Sequence, residues 1–121
     1  MNKHELLQRT KLYALRVIKA VQALPRDAVS STLGRQLLRA GTSVGANYRA
    51  ACRAKSTADF VNKLKIVEEE CDESIYWMEL IVESGVMPPA RFQPLIAEAN
   101  ELVAIVVASL RTARGRSNRK S

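Results

Sequence analysis

The chain predicts an all-α fold: an up-down-up-down antiparallel four-helix bundle. Three observations carry that prediction. Apolar residues recur at helical spacing through long stretches, and no stretch alternates as a half-buried strand would. Gly and Pro, 5 and 4 in 121 residues, gather at a handful of places. Ala, Leu, Val, Arg and Glu dominate while aromatics are only 5%, which favours helix. Long elements with short connections pack beside their sequence neighbours. The length suits one domain with a single core. It is expected over 1–114, followed by a disordered basic tail over 115–121.

Helix one is predicted from about Lys3 to Leu24, with Leu6, Leu7, Tyr13, Ala14, Val17, Ile18, Val21 and Leu24 on its apolar face. Leu12 and Leu15 fall outside that face. Pro25 ends the helix, because the residue before a proline is pushed out of the helical region. Ser30, Ser31 or Thr32 is placed to cap helix two, which runs to about Ala54. Helix three is predicted from about Thr57 to Ser84, opened by Ser56 and Asp59 at capping-box spacing and closed by Gly85. Its core row is Phe60, Leu64, Val67, Cys71, Ile75, Met78 and Val82. A second row carries Ile66, Glu70, Glu73, Trp77 and Leu80. Helix four should start near Pro89 and reach about Arg114, with Pro94 either in its first turn or kinking it. Leu95, Ala99, Leu102, Val103, Val106 and Leu110 face the core.

Helix two separates into three stripes. Leu33, Leu37, Ala40, Val44, Tyr48 and Ala51 read as core. Arg35, Arg39, Thr42, Ala46, Arg49 and Arg53 form a cationic stripe with small residues at its centre. Gln36, Ser43 and Asn47 form a polar seam, expected to be buried between helices or subunits where partners satisfy it. Gly34, Gly41 and Gly45 each cost roughly 1 kcal/mol against Ala inside a helix. Close packing of another helix accounts for that cost better than a ligand does, since no phosphate-cradling loop surrounds them.

The formal charge of +7 raises the expectation of a structured RNA or DNA partner. Candidate contacts are Arg35, Arg39, Arg49 and Arg53, with Arg111, Arg114, Arg116, Arg119 and Lys120 in an acid-free C-terminal segment. Acids, however, crowd the following helix from Asp59 to Glu83. The arginine fork suits carboxylate as well as phosphate. The better expectation is therefore that at least one of Arg39, Arg49 or Arg53 pairs with Glu69, Glu70 or Glu73. Leu12, Leu15, Ile66, Glu70, Glu73, Trp77 and Leu80 are the candidate oligomer interface, because the bundle needs only one apolar row per helix.

No enzyme, cofactor or metal is expected. A di-iron bundle needs Glu-x-x-His on two helices. The only histidine, His4, sits near the start with no Glu three before it. A serine or cysteine nucleophile lacks a nearby base. Cys52 and Cys71 lie within helical patterns, as free thiols do in a reducing cytoplasm. The start is polar, unlike a secretory signal, and the longest apolar run, Leu102 to Ala108, is too short to span a membrane.

The row Gln36-Leu37-x-Arg39-Ala40-x-x-Ser43-Val44-x-Ala46-Asn47 resembles the signature of the bacterial 23S rRNA intervening-sequence proteins. The Leu24-Pro25 turn and the Phe60–Leu80 helix resemble it too, so the likeness spans nearly the whole chain. The acidic helix three departs from the commoner Gly-Ser-containing form. The resemblance implies a cyclic homopentamer of bundles, a link to structured RNA, and no catalytic residues. It also implies distant similarity to the basic accessory proteins of diversity-generating retroelements, which work with a reverse transcriptase. Two functions follow: a ring that binds RNA or DNA as a ribonucleoprotein accessory, or a purely structural scaffold whose arginines make subunit contacts.

Overall fold

The structure is a computed structural model that describes the backbone of residues 1–120 and the side chains of residues 1–116. It comprises α1 (Lys3–Gln22), α2 (Ala28–Cys52), α3 (Thr57–Glu83), a single 3₁₀ turn at Pro89–Arg91, and α4 (Gln93–Lys120), with no strand among the described residues. The four helices form a bundle in which α2 packs against α1 and α3, α4 packs against α3, and α4 touches α1 more lightly.

Local chemistry sets the helix ends. The Asn2 side chain accepts from the Glu5 N–H at 2.8 Å and opens α1. Asp27, not a serine or Thr32, caps α2: its carboxylate accepts from the Ser30 N–H at 2.9 Å and the Ser30 hydroxyl at 3.0 Å. The carboxylate one turn upstream outcompetes the hydroxyls because charge-assisted bonds are stronger, and α2 starts earlier than predicted. Those bonds hold Asp27 below the usual carboxylate range. Ser56 accepts from the Asp59 N–H at 3.1 Å, while the Asp59 carboxylate accepts from the Lys55 N–H at 3.2 Å. At the far end of α3, Gly85 takes φ +81°, and the Val86 N–H reaches back to the Ile81 carbonyl at 3.1 Å. That left-handed closure is what the sequence anticipates at Gly85.

Pro94 sits in the first turn of α4, where its missing N–H is harmless. The Pro89–Arg91 turn is the short lead-in, and it delivers Phe92 into the core. Helix α4 passes the predicted end at Arg114 and runs to Lys120. Only Gly115 opposes helix there, at about 1 kcal/mol, and no proline stops it. The stretch Gln93–Arg116 is long and apolar enough to cross a bilayer by length and composition, contrary to the sequence estimate from its longest apolar run. Its Leu95, Ala99, Leu102, Val106 and Leu110 row is buried in the bundle core.

The core follows the predicted rows closely. Tyr13, Val17, Leu37, Val44, Leu64, Val67, Cys71, Met78, Leu102 and Val106 are fully buried. Each buried Leu or Val contributes roughly 1.5–3 kcal/mol relative to exposure, more than the ~0–1 kcal/mol of an exposed ion pair. Packing, not charge, therefore holds the helices together. Thr10, Ile81 and Phe92 join the core unpredicted. Thr10 can do so because its hydroxyl donates to the Leu6 carbonyl at 2.9 Å.

The glycines of α2 let α1 approach. A Cβ on Gly41 would stand 2.8 Å from both Val17 methyl carbons, and one on Gly45 would stand 3.3 Å from the Thr10 carbonyl. Further along, Gly34 lies against Leu24 and Val21. The contacted number on α1 thus falls as the number on α2 rises.

Candidate functional site

Two seams meet on α2, and each gathers charge differently. Toward α3, the Arg39 guanidinium donates to Glu70 at 3.1 Å and to Glu73, and the Trp77 indole N–H donates to Glu73 at 3.2 Å. The expected pairing of a helix-two arginine with the acids of helix three is made here by Arg39; Glu69 stays exposed. The Arg39 side chain is 49% exposed, so the cluster adds little to stability, about 0–1 kcal/mol.

Gln36, Ser43 and Asn47 are half-buried on the same helix. The Ser43 hydroxyl donates to the Arg39 carbonyl at 2.6 Å and the Asn47 amide to the Ser43 carbonyl at 2.8 Å. These bonds stay within α2, so the facing partners expected of a polar seam are not supplied by a neighbouring helix of the same chain.

Toward α1, the surface is a groove of about 550 Å³. Lys3, His4, Leu7, Gln8, Lys11 and Ala14 line it from α1, and Thr42, Gly45, Ala46, Arg49, Cys52 and Arg53 from α2. Its floor is apolar and small because the two helices lie close along the glycines. Its rim carries four Lys or Arg side chains and no carboxylate. The sequence flags Arg49 and Arg53 but not Lys3 and Lys11. Their spacing from Leu7 and Ala14 is the signal that could have found them, since it puts them on one helical stripe beside α2.

The other candidate cations scatter. Exposed Arg35 donates to the Ser31 hydroxyl at 3.0 Å. Arg111, Arg114 and Arg116 are exposed on α4, and Arg116 faces an opening shared with Lys3, Tyr48 and Phe60. The side chains of Arg119 and Lys120 lie outside the described residues. Among the described residues, no single surface collects the predicted set.

Of the interface candidates, Leu12 (55%), Leu15 (50%) and Ile66 (41%) are exposed. Glu70, Glu73, Trp77 and Leu80 are half-buried, and Trp77 packs partly against the bundle's own core. Its neighbour Tyr76, which the sequence reading passes over, is 53% exposed and meets the Trp77 ring edge-on. Tyr76 continues the three-four series Ile66, Glu69, Glu73, which is the signal that was available.

Buried polar groups elsewhere are structural. The Tyr13 hydroxyl and Ser74 Oγ lie 2.7 Å apart, and Ser74 donates to the Cys71 carbonyl at 2.6 Å. Burial raises the Tyr13 pKa above its ordinary value. It also pushes the Cys71 thiol up to about 12, so Cys71 stays protonated at neutral pH. Arg9 donates to both oxygens of Glu98 at 2.7 Å and to Glu101, clasping α1 to α4. That bidentate bond holds Glu98 below the usual carboxylate range. His4 is exposed, and among the described residues no group of three or more His, Cys, Asp or Glu side chains could hold a metal.

The model of a family described as 23S rRNA-intervening sequence protein matches residues 2–108. A crystal structure of a protein with unknown function from the S23 ribosomal protein family of Bacteroides thetaiotaomicron is similar, with TM-score 0.85 and 28% identity. The match covers 92% of this chain and 99% of that one. No curated protein matches the chain.

Proposed function

We propose, from the premise that this chain belongs to the 23S rRNA-intervening sequence protein family, that it is a non-enzymatic scaffold that assembles with copies of itself. The unit is an up-down-up-down bundle and the assembly a homopentameric ring. The descending α1–α2 contacts at Gly34, Gly41 and Gly45 support the antiparallel topology. One observation carries the assembly: Leu12, Leu15, Ile66 and Tyr76 stand on the surface of a bundle whose core is already filled. Several large apolar residues around one small body suit an interface, and self-association is its commonest form. Free Cys52 and Cys71 suit a reducing compartment such as the cytoplasm. The test is size exclusion with light scattering on the intact chain and on Leu12→Asp/Leu15→Asp. An oligomer that the double substitution dissociates supports the proposal; a single-chain mass for the unsubstituted protein defeats it.

A second function rests on the acid-free rim of the α1–α2 groove. In it the ring is a nucleic-acid accessory, with Arg49, Arg53, Lys3 and Lys11 contacting the phosphates of structured RNA or duplex DNA. Exposed Arg35 and the α4 arginines add non-specific attraction. The family's name points to ribosomal RNA as the first ligand to try. Binding should then weaken by orders of magnitude between low and moderate salt. It should also survive truncation before Gly115 if the groove is the reader. No binding at low salt removes this function and leaves the scaffold.

A further inference from the structure

We infer that the α1–α2 groove seats the outward face of α3 from a second copy of this chain. The inference rests on the self-assembly proposed above and names the surfaces that make it. The groove follows Lys3–Ala14 on one helix and Thr42–Arg53 on the other, about 16 Å along each at 1.5 Å per residue. Small residues toward one end, Ala14, Gly45 and Ala46, allow a third helix to lie close there.

The outward row of α3 has the complementary character. Ile66, Glu69 and Tyr76 are exposed, with half-buried Glu73 and Leu80 at the same three- and four-residue spacing, so an acidic middle is flanked by apolar side chains along one stripe. Ile66 and Tyr76, both exposed, stand roughly 15 Å apart along the axis, which matches the groove's length. Glu69 and Asp72 are exposed beside them, free to meet Arg49 and Arg53.

Charge decides among the possible occupants. Groove against groove would face cations with cations. A phosphate backbone would satisfy the cations and leave Ile66 and Tyr76 uncovered. An α3 face from another copy satisfies both at once. The contact joins two different patches, so it repeats head to tail and yields a closed ring when the rotation closes.

The test compares the full chain with Arg49→Glu/Arg53→Glu, with Glu69→Arg/Asp72→Arg, and with all four changes in one chain, by sedimentation velocity over a concentration series. All four positions are exposed, and circular dichroism checks that the helices persist. Each double substitution should weaken association at least tenfold, and the fourfold exchange should recover most of it. Unchanged assembly of the Arg49/Arg53 variant, or no recovery on exchange, overturns the inference while leaving self-assembly intact. Assembly of the unsubstituted chain only after RNA is added gives the groove to nucleic acid and overturns it as well. A single chain at every concentration would instead remove the self-assembly on which it stands.

Discussion

The two seams on α2 share one helix and use it in opposite ways. On the α3 side, Arg39 finds Glu70 and Glu73 within the chain. On the α1 side, the backbones approach so closely at Gly41 and Gly45 that small residues fill the contact. Arg49, Arg53, Lys3 and Lys11 stand there above it with no acid among the lining residues. Arg39 and Arg49 belong to one stripe in sequence, yet ten residues at 100° each put them about 80° apart. That rotation places one beside the acidic helix and the other beyond its reach. A run of like charge is therefore not one site: helix geometry divides it into a part paired inside the fold and a part with no acid among the residues lining its groove.

The largest expected effect lies at the α1–α2 seam, which depends on close approach. Gly41→Ala should destabilise the bundle by about 1–3 kcal/mol, despite a gain of roughly 1 kcal/mol in helix propensity, because its Cβ meets the branched Val17. Val17→Ala in the same chain should recover part of that loss. Urea unfolding of the two variants measures it, and equal stability of Gly41→Ala and the parent would refute the packing account.

Smaller effects sharpen the contrast between paired and unpaired charges. Arg9→Met should cost about 1–3 kcal/mol, since half-buried Glu98 loses its bidentate partner. The acid dependence has a definite sign. Glu98 is depressed below its ordinary value of 4.5, so its stabilising contribution is whole above that pH and fades as pH falls through the lower folded value. The melting-temperature gap between the parent and Glu98→Gln should accordingly close on acidification; a gap that widens contradicts the clasp. Arg39→Ala should cost no more than about 1 kcal/mol, as an exposed pair does. Arg49→Ala should leave single-chain stability within about 0.5 kcal/mol. A larger loss at Arg49 than at Arg39, read by chemical unfolding of dissociated protein, would reverse the assignment of the two seams.

Much of the fold was legible because helical periodicity is a strong local signal. The core rows of α2, α3 and α4 follow from spacing alone, and Gly85 and Pro94 take the roles their chemistry dictates. What escaped has tertiary causes. Thr10 looks polar in sequence, but in a helix its hydroxyl satisfies itself on the Leu6 carbonyl and can be buried. Phe92 follows a proline pair and belongs to no periodic run, so only the 3₁₀ turn reveals its destination. The groove depends on which helix stands beside α2, and periodicity says nothing of neighbours. The charge stripe was visible in sequence; its division between two seams was not.

In the proposed assembly, the cations above the α1–α2 contact are satisfied by another copy of the chain. The most direct measurement is the light-scattering mass of the full-length protein across a salt series. The account predicts a mass about five times the 13.4 kDa of one chain at low salt. That mass should fall toward a single chain as salt shortens the Debye length to about 3 Å near 1 M. A mass of one chain at every salt concentration would contradict it.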